Sequence, residues 1–194
     1  MAMDGSYFVK QLADDAGRFE ALVKGVSEEQ AHWKPDDDEW SVLELVNHLY
    51  DEEREDFRVR LDNILHHPER EWAQIDPEGW VTERAYGERD LDASVQDFLE
   101  ERNGSLEWLE SLGSPDWDTL YTSEYGSMRA GDMFTSWVTH DHIHLRQLIG
   151  LHHAYAIAQG NAIQPGLRRA VVRGALSRQP HIGRPPNALN GSGM

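Results

Sequence analysis

Ser41-Val42-Leu43-Glu44-Leu45-Val46-Asn47-His48-Leu49 is the stretch on which the reading of this chain turns. Ser41 and Glu44 stand at the spacing of a capping box, in which each side chain accepts a hydrogen bond from the other residue's backbone N–H. From that start Leu45, Val46, Leu49, Phe57, Leu61 and Ile64 recur at helical spacing, so a long helix follows. His48 lies on the flank of this apolar stripe, beside Leu45 and one turn from Glu44 and Glu52. A histidine so placed either hydrogen-bonds at the edge of a core or belongs to a site shared with another helix.

Three other segments carry the same periodicity. The first runs from about Tyr7 to Val26, with Phe8, Leu12, Phe19, Leu22 and Val23 as its stripe. The third runs from about Asp92 to Leu112 and the fourth from about Gly131 to Leu151, the latter with Met133, Phe134, Trp137, Val138, Leu145, Leu148 and Ile149. No segment reads as a strand, and no internal repeat is visible. Between the second and third helices lie about 24 residues, His67 to Leu91, broken by Pro68, Pro77, Gly79 and Gly87. A helix of about 25 residues is about 38 Å long, and about 12 extended residues can retrace it. The connection is thus long enough to cross the bundle and make helices two and three parallel. The expected fold is an all-α four-helix bundle, up-down-down-up, occupying residues 1–163. Residues 113–130 form a second long loop with Trp117, Tyr121 and Tyr125. Residues 164–194, rich in Pro, Gly, Arg and Asn, read as a tail, disordered or docked on a neighbour.

Composition narrows the function. The formal charge is −17, and residues from Gln164 onward hold five Arg and no acid, so the body is more acidic still. Phosphate neutralisation needs clustered Lys and Arg, so a nucleic-acid partner is not expected. The acids read as a solvated surface that keeps the protein soluble. The absence of cysteine excludes disulfides, thiolate ligands and a cysteine nucleophile. Any thiol chemistry would need a thiol from outside. With no apolar run near a span's roughly 18 residues and no signal-like N-terminus, a cytoplasmic protein without a membrane partner is expected.

The fourth helix carries Trp137-Val138-Thr139-His140-Asp141-His142-Ile143-His144. An i,i+4 histidine pair alone says little, because ten histidines in a chain of this length produce roughly half of one such pair by chance. A helical wheel adds context. With Met133 at zero, the apolar centre falls near about 80°, His144 at about 20°, His140 at about 340°, and His142 at about 180°. The wheel therefore puts His140 and His144 on one edge of the buried stripe and turns His142 away. His48 is seven residues after its helix starts, and His144 seven before its helix is expected to end. If the two helices are antiparallel neighbours, those residues share a level. Three neutral imidazoles at one point would hold a divalent cation and leave coordination positions open. Histidines that merely hydrogen-bond at a core edge are the alternative.

Taken in order, Trp33-x-Pro35, Trp40-Ser41-x-x-Glu44-x-x-x-His48-Leu49 and His140-Asp141-x-x-His144-x-x-Gln147 resemble the DinB-like superfamily of metal-binding four-helix bundles, also called YfiT-like metal-dependent hydrolases. The likeness covers roughly residues 5–155, long second connection included. It implies that His48, His140 and His144 match the family's three metal ligands and that the metal is zinc or nickel. It also implies a small-molecule substrate. Members include S-transferases using the low-molecular-weight thiols bacillithiol or mycothiol, a mycothiol-dependent maleylpyruvate isomerase, and hydrolases. The implied activity is transfer of such a thiol onto an electrophile, with hydrolysis or a non-catalytic, stress-associated metal-binding bundle as alternatives; a homodimer is compatible with all three. Arg129 stands where relatives often place a Thr cap, and the basic tail has no counterpart in the pattern.

Other residues carry expectations of their own. Glu44 caps its helix. Glu52, one acid among Asp51-Glu52-Glu53-Arg54-Glu55-Asp56, reads as solvated, its alternative being to orient His48 or act as a base. Asp141 falls inside an apolar stripe, so it should be buried and hydrogen-bonded. A substrate pocket should open beside His48 and His144, walled by the loop that carries Trp117, Tyr121 and Tyr125.

Overall fold

The computed structural model describes residues 3–160 apart from Tyr125; the tail expected at 164–194 lies outside the described residues. Helix α1 spans Gly5–Val23, α2 Glu28–His32, and α3 Val42–Glu52. A π-helical turn, Glu53–Phe57, continues α3 into α4, Arg58–His66. The crossover holds α5, Pro77–Glu83, and a 3₁₀ turn, Tyr86–Glu88. Then come α6, Leu91–Ser111, a hairpin of β1 (Leu120–Ser123) and β2 (Gly126–Arg129), and α7, Ala130–Gln159. The bundle is formed by α1, the α3–α4 rod, α6 and α7.

Side-chain contacts fix the directions. Asn47 reaches Ser94, Glu53 meets Arg102, and Arg58 donates to Ser105, so the α3–α4 rod and α6 run parallel. Phe8 packs on Phe134 and His152 bonds the Leu22 carbonyl, so α1 and α7 also run parallel. His48 lies against His144 while Phe57 lies on Trp137, so α3 and α7 are antiparallel. The topology is up-down-down-up, as the length of the second connection requires. The core has two parts. One gathers Leu12, Phe57, Leu61, Phe134 and Trp137, the other Phe19, Leu45, Leu49, Phe98 and Leu148.

Ser41 and Glu44 form the expected capping box, with Ser41 N donating to Glu44 Oε2 at 2.9 Å and Glu44 N to Ser41 Oγ at 3.2 Å. The crossover is anchored to α3 rather than draped over it. Tyr86 Oη donates to Asp51 at 2.6 Å, and Arg84 spans Asp51 and Glu55 at 2.9 Å each. Between those residues Ala85 holds φ +49°, a left-handed conformation unfavourable for alanine and sustained by the contacts on either side.

Three features depart from the sequence reading. Residues 120–129 pair as an antiparallel hairpin, Leu120 opposite Arg129 and Ser123 opposite Gly126, where no strand was expected. Its strands are four residues long and only Tyr121 is buried, too little alternation to register as a pattern. The hairpin also helps to start α7: Ala130 N donates to Thr119 O and Gly131 N to Trp117 O, while Arg129 N donates to the Asp132 side chain. Helix α7 continues past Leu151 to Gln159, and the second helix contains the π turn. No helix among the described residues is long and apolar enough to cross a membrane.

Candidate metal centre

The antiparallel crossing of α3 and α7 brings three side chains to one point. His48 Nε2 lies 3.3 Å from His140 Nε2 and 3.2 Å from His144 Nε2, and the latter two are 3.0 Å apart. These are the separations that a shared ion imposes. Three nitrogens at about 2.0–2.1 Å from one centre, at angles between octahedral and tetrahedral, stand about 2.9–3.4 Å from each other. His48 and His144 are buried, and together with half-buried His140 they could hold a metal ion. His142 does not join them; it is 46 % exposed and faces Asp15 on α1 at 3.2 Å.

The chemistry of the donors fits a cation. Burial holds His144 down to about 4, against a smaller opposing pull from its hydrogen bond to Gln147. Burial and the neighbouring imidazole of His144 keep His48 and His140 well below the usual histidine range. All three are therefore neutral near pH 7 and carry a lone pair. For His144 the hydrogen bond fixes which nitrogen carries it. Nδ1 lies 2.9 Å from Gln147 Oε1, an acceptor, so Nδ1 holds the proton and Nε2 presents its lone pair to the centre. Without a cation, three imidazole edges would crowd their lone pairs together in a buried space.

Beneath this triangle lies a buried ion network. Arg102 on α6, 1 % exposed, donates to Glu53 at 2.8 and 2.9 Å, to Asp141 at 2.6 and 3.0 Å, and to the Leu12 carbonyl at 3.0 Å. All five guanidinium protons are thus placed. Trp137 Nε1 adds a donor to Glu53 at 2.9 Å. Asp141 is buried and hydrogen-bonded as its position on the stripe requires, and its arginine ties α7 to α1, α3 and α6. Because Asp141 follows His140 directly, this clamp also sets the rotation of α7 that presents both of its histidines.

The surroundings differ from expectation at two places. The rings against the histidines are Trp40, 4.6 Å from His48 and stacked 6.3 Å from His144, and Phe57, 4.8 Å from His140. Trp117 instead packs on Phe134, and Tyr121 stacks on Trp72 at 4.3 Å; Tyr125 lies outside the described residues. The second correction concerns the acids. Glu52 is not solvated: it is 4 % exposed, and Asp51, Glu53 and Asp56 are buried with it. A run of acids in sequence gives no sign of which way it faces, and the arginines that neutralise Asp51 and Glu53 come from distant segments.

Comparison with known proteins places this arrangement. A family model described as the DinB superfamily matches residues 11–148. The chain belongs to the DinB superfamily. Among solved structures it is similar to YfiT from Bacillus subtilis, described as a probable metal-dependent hydrolase with an unusual four-helix bundle topology. The two share 15 % identity, covering 80 % of this chain and 91 % of that one, with a TM-score of 0.71. That likeness is one of fold. No curated protein matches the sequence at a significant level. In this DinB-superfamily chain the α3–α7 crossing thus belongs to the shared bundle, whereas the histidine triangle is read from its own side chains.

Proposed function

We propose that this DinB-superfamily protein is a divalent-metal enzyme that activates a small external nucleophile and delivers it to an electrophilic substrate. The observation that carries the reading is the convergence of three neutral imidazole nitrogens within 3.0–3.3 Å of one another. Among the described residues three protein ligands are gathered, which leaves positions for solvent or substrate, as in catalytic rather than structural sites. When bound, zinc or nickel would supply Lewis acidity that makes a coordinated water or thiol a nucleophile at neutral pH. His48, His140 and His144 would hold it, Gln147 fixes the His144 tautomer, and Trp40 and Phe57 exclude bulk water from one side. The chain has no cysteine, so its nucleophile comes from outside.

Hydrolysis is the first reading, with water as that nucleophile; the description of YfiT as a metal-dependent hydrolase supports it. Transfer of a low-molecular-weight thiol is the second, motivated by the absence of cysteine and by the DinB-like resemblance, a superfamily whose members include thiol S-transferases. Metal analysis of protein purified without an affinity tag should find one zinc or nickel per chain. That protein should hydrolyse a simple ester or conjugate a bacterial thiol to a test electrophile, and chelation should remove the rate. Tight metal binding with no turnover of either probe would leave a non-catalytic metal-binding bundle.

A further inference from the structure

On the reading just given, we propose that the Glu52–Asp56 carboxyl pair gives and takes the proton in the chemistry at the three-histidine centre, with Glu52 as the member that meets the reacting atoms. Position is the first argument. Glu52 is the fourth residue after His48 on α3, so it stacks one turn further along the same helix face. The π turn begins at the next residue, Glu53. Asp56 follows four residues after Glu52 and so lies alongside it, and Phe57, the last residue of the turn, packs on His140 and Trp137.

The state of the pair is the second argument. Glu52 donates a hydrogen bond to Asp56, and Asp56 lies 2.5 Å from Arg60 Nε. Glu52 Oε1 remains buried with no hydrogen-bond partner among the described residues. Leaving such an atom unpaired costs about 1–3 kcal/mol, and a clamp for the π turn needs only the oxygen already bonded to Asp56. Burial first, and then the charge of Asp56, raise Glu52 to about 9, so at neutral pH the pair holds one proton. The other charged groups at the pair are Arg60 and Asp51, the latter engaged with Tyr86, Arg84 and Arg54. Beyond Arg60, whose guanidinium lies over Trp72, the stripe meets the hairpin at Tyr121.

A pair holding one proton suits a displacement that needs one proton in and one out. The nucleophile's O–H or S–H bond breaks and its proton passes to the pair as its oxygen or sulfur bonds the electrophilic carbon. The bond from that carbon to the leaving atom breaks, the leaving atom keeps the electron pair, and it takes the proton of Glu52. Nothing is oxidised or reduced, and the pair ends as it began. With water and an ester the products are an acid and an alcohol.

The test compares wild type with Glu52→Gln, which keeps an N–H donor for Asp56. Infrared difference spectra should show a protonated-carboxyl C=O band in wild type that shifts when zinc is added, and no such band in Glu52→Gln. Zinc affinity should change by no more than about threefold, since no ligand is touched. Turnover of an alkyl ester, whose alkoxide must be protonated to leave, should fall on the order of 10²-fold or more. For a nitrophenyl ester, whose leaving group needs no proton, the loss should be at least about tenfold smaller. A band that survives in Glu52→Gln, a band indifferent to zinc, or equal losses on both esters would overturn the proposal. If wild type binds zinc yet turns over neither ester, the enzymatic reading fails, and the infrared result alone decides whether the pair senses the centre. Should His48→Ala bind zinc normally, the ligand assignment fails instead, independently of Glu52.

Discussion

Substituting Glu52 by Gln should change how stability depends on pH, in a direction set by its burial. In the folded protein this carboxyl keeps its proton up to about 9, whereas its ordinary value is 4.5. Between those limits the folded state binds a proton that the unfolded chain has released. Stability therefore falls as pH rises through that window, by at most about 1.4 kcal/mol per pH unit for one proton. Gln imitates the protonated carboxyl and cannot titrate, so its contribution is level. From pH 6 to pH 8 the variant should gain on wild type by up to about 2.7 kcal/mol, or roughly 5–11 °C in melting temperature for a domain of this size. Urea unfolding of metal-stripped protein at pH 6, 7 and 8 measures this directly. The three histidines and Asp141 titrate in both proteins, so their contributions cancel in the difference, whereas Asp56, itself raised by burial and bonded to Glu52, does not, so the difference reports the pair. Parallel stability curves would refute the reasoning, because they would mean that Glu52 ionises in the folded state as it does in the unfolded one.

Three other outcomes test the rest of the site. Zinc or nickel at about 100 times its dissociation constant should stabilise stripped wild type by about 2.7 kcal/mol, and His144→Ala should lose that thermal shift while keeping its helical circular dichroism; collapse of the helix signal would make His144 a structural residue. Gln147→Leu, which removes the acceptor that fixes the His144 tautomer, should weaken metal affinity roughly 10–100-fold by calorimetric titration, and unchanged affinity would show that the hydrogen bond does not position the ligand. Arg102→Met should cost about 3–5 kcal/mol in denaturant unfolding at pH 7, because it leaves Glu53 and Asp141 buried without their cation; a change below about 1 kcal/mol would mean that water already enters the network.

The parts of this protein legible in its sequence are those governed by local periodicity. Apolar spacing placed the four long helices, and the capping box fixed the start of α3, because both depend on residues within one or two turns. The length of the 67–91 connection implied the parallel pairing of helices two and three. The histidine triangle followed from two local facts, the wheel positions of His140 and His144 and the level of His48, together with antiparallel packing. Only the packing needed the fold. The hairpin escaped because its order comes from the Trp72–Tyr121 stack and from its junction with α7, neither of which imprints a period on four residues.

The acidic run on the second helix was illegible for a different reason. A charge is cheap on the surface and costly in the core, so solvation is the default for five acids and an arginine in a row. Here the default fails because partners arrive from elsewhere: Arg102 from α6 takes Glu53, Arg84 from the crossover takes Asp51 and Glu55, and Arg60 from α4 takes Asp56. Among the described residues Glu52 alone of these acids forms no ion pair of its own, and it answers burial by keeping its proton. Glu52 and Asp56 stand at i and i+4, a spacing that puts both on one face of the rod. Phe57, the last residue of the π turn, packs on His140, so the stretch that carries the acid pair also packs the helix of His140 and His144. One short stretch of the rod thus joins the acid pair to the histidine triangle, which is why the inference about Glu52 and the assignment of the centre are best tested in the same protein.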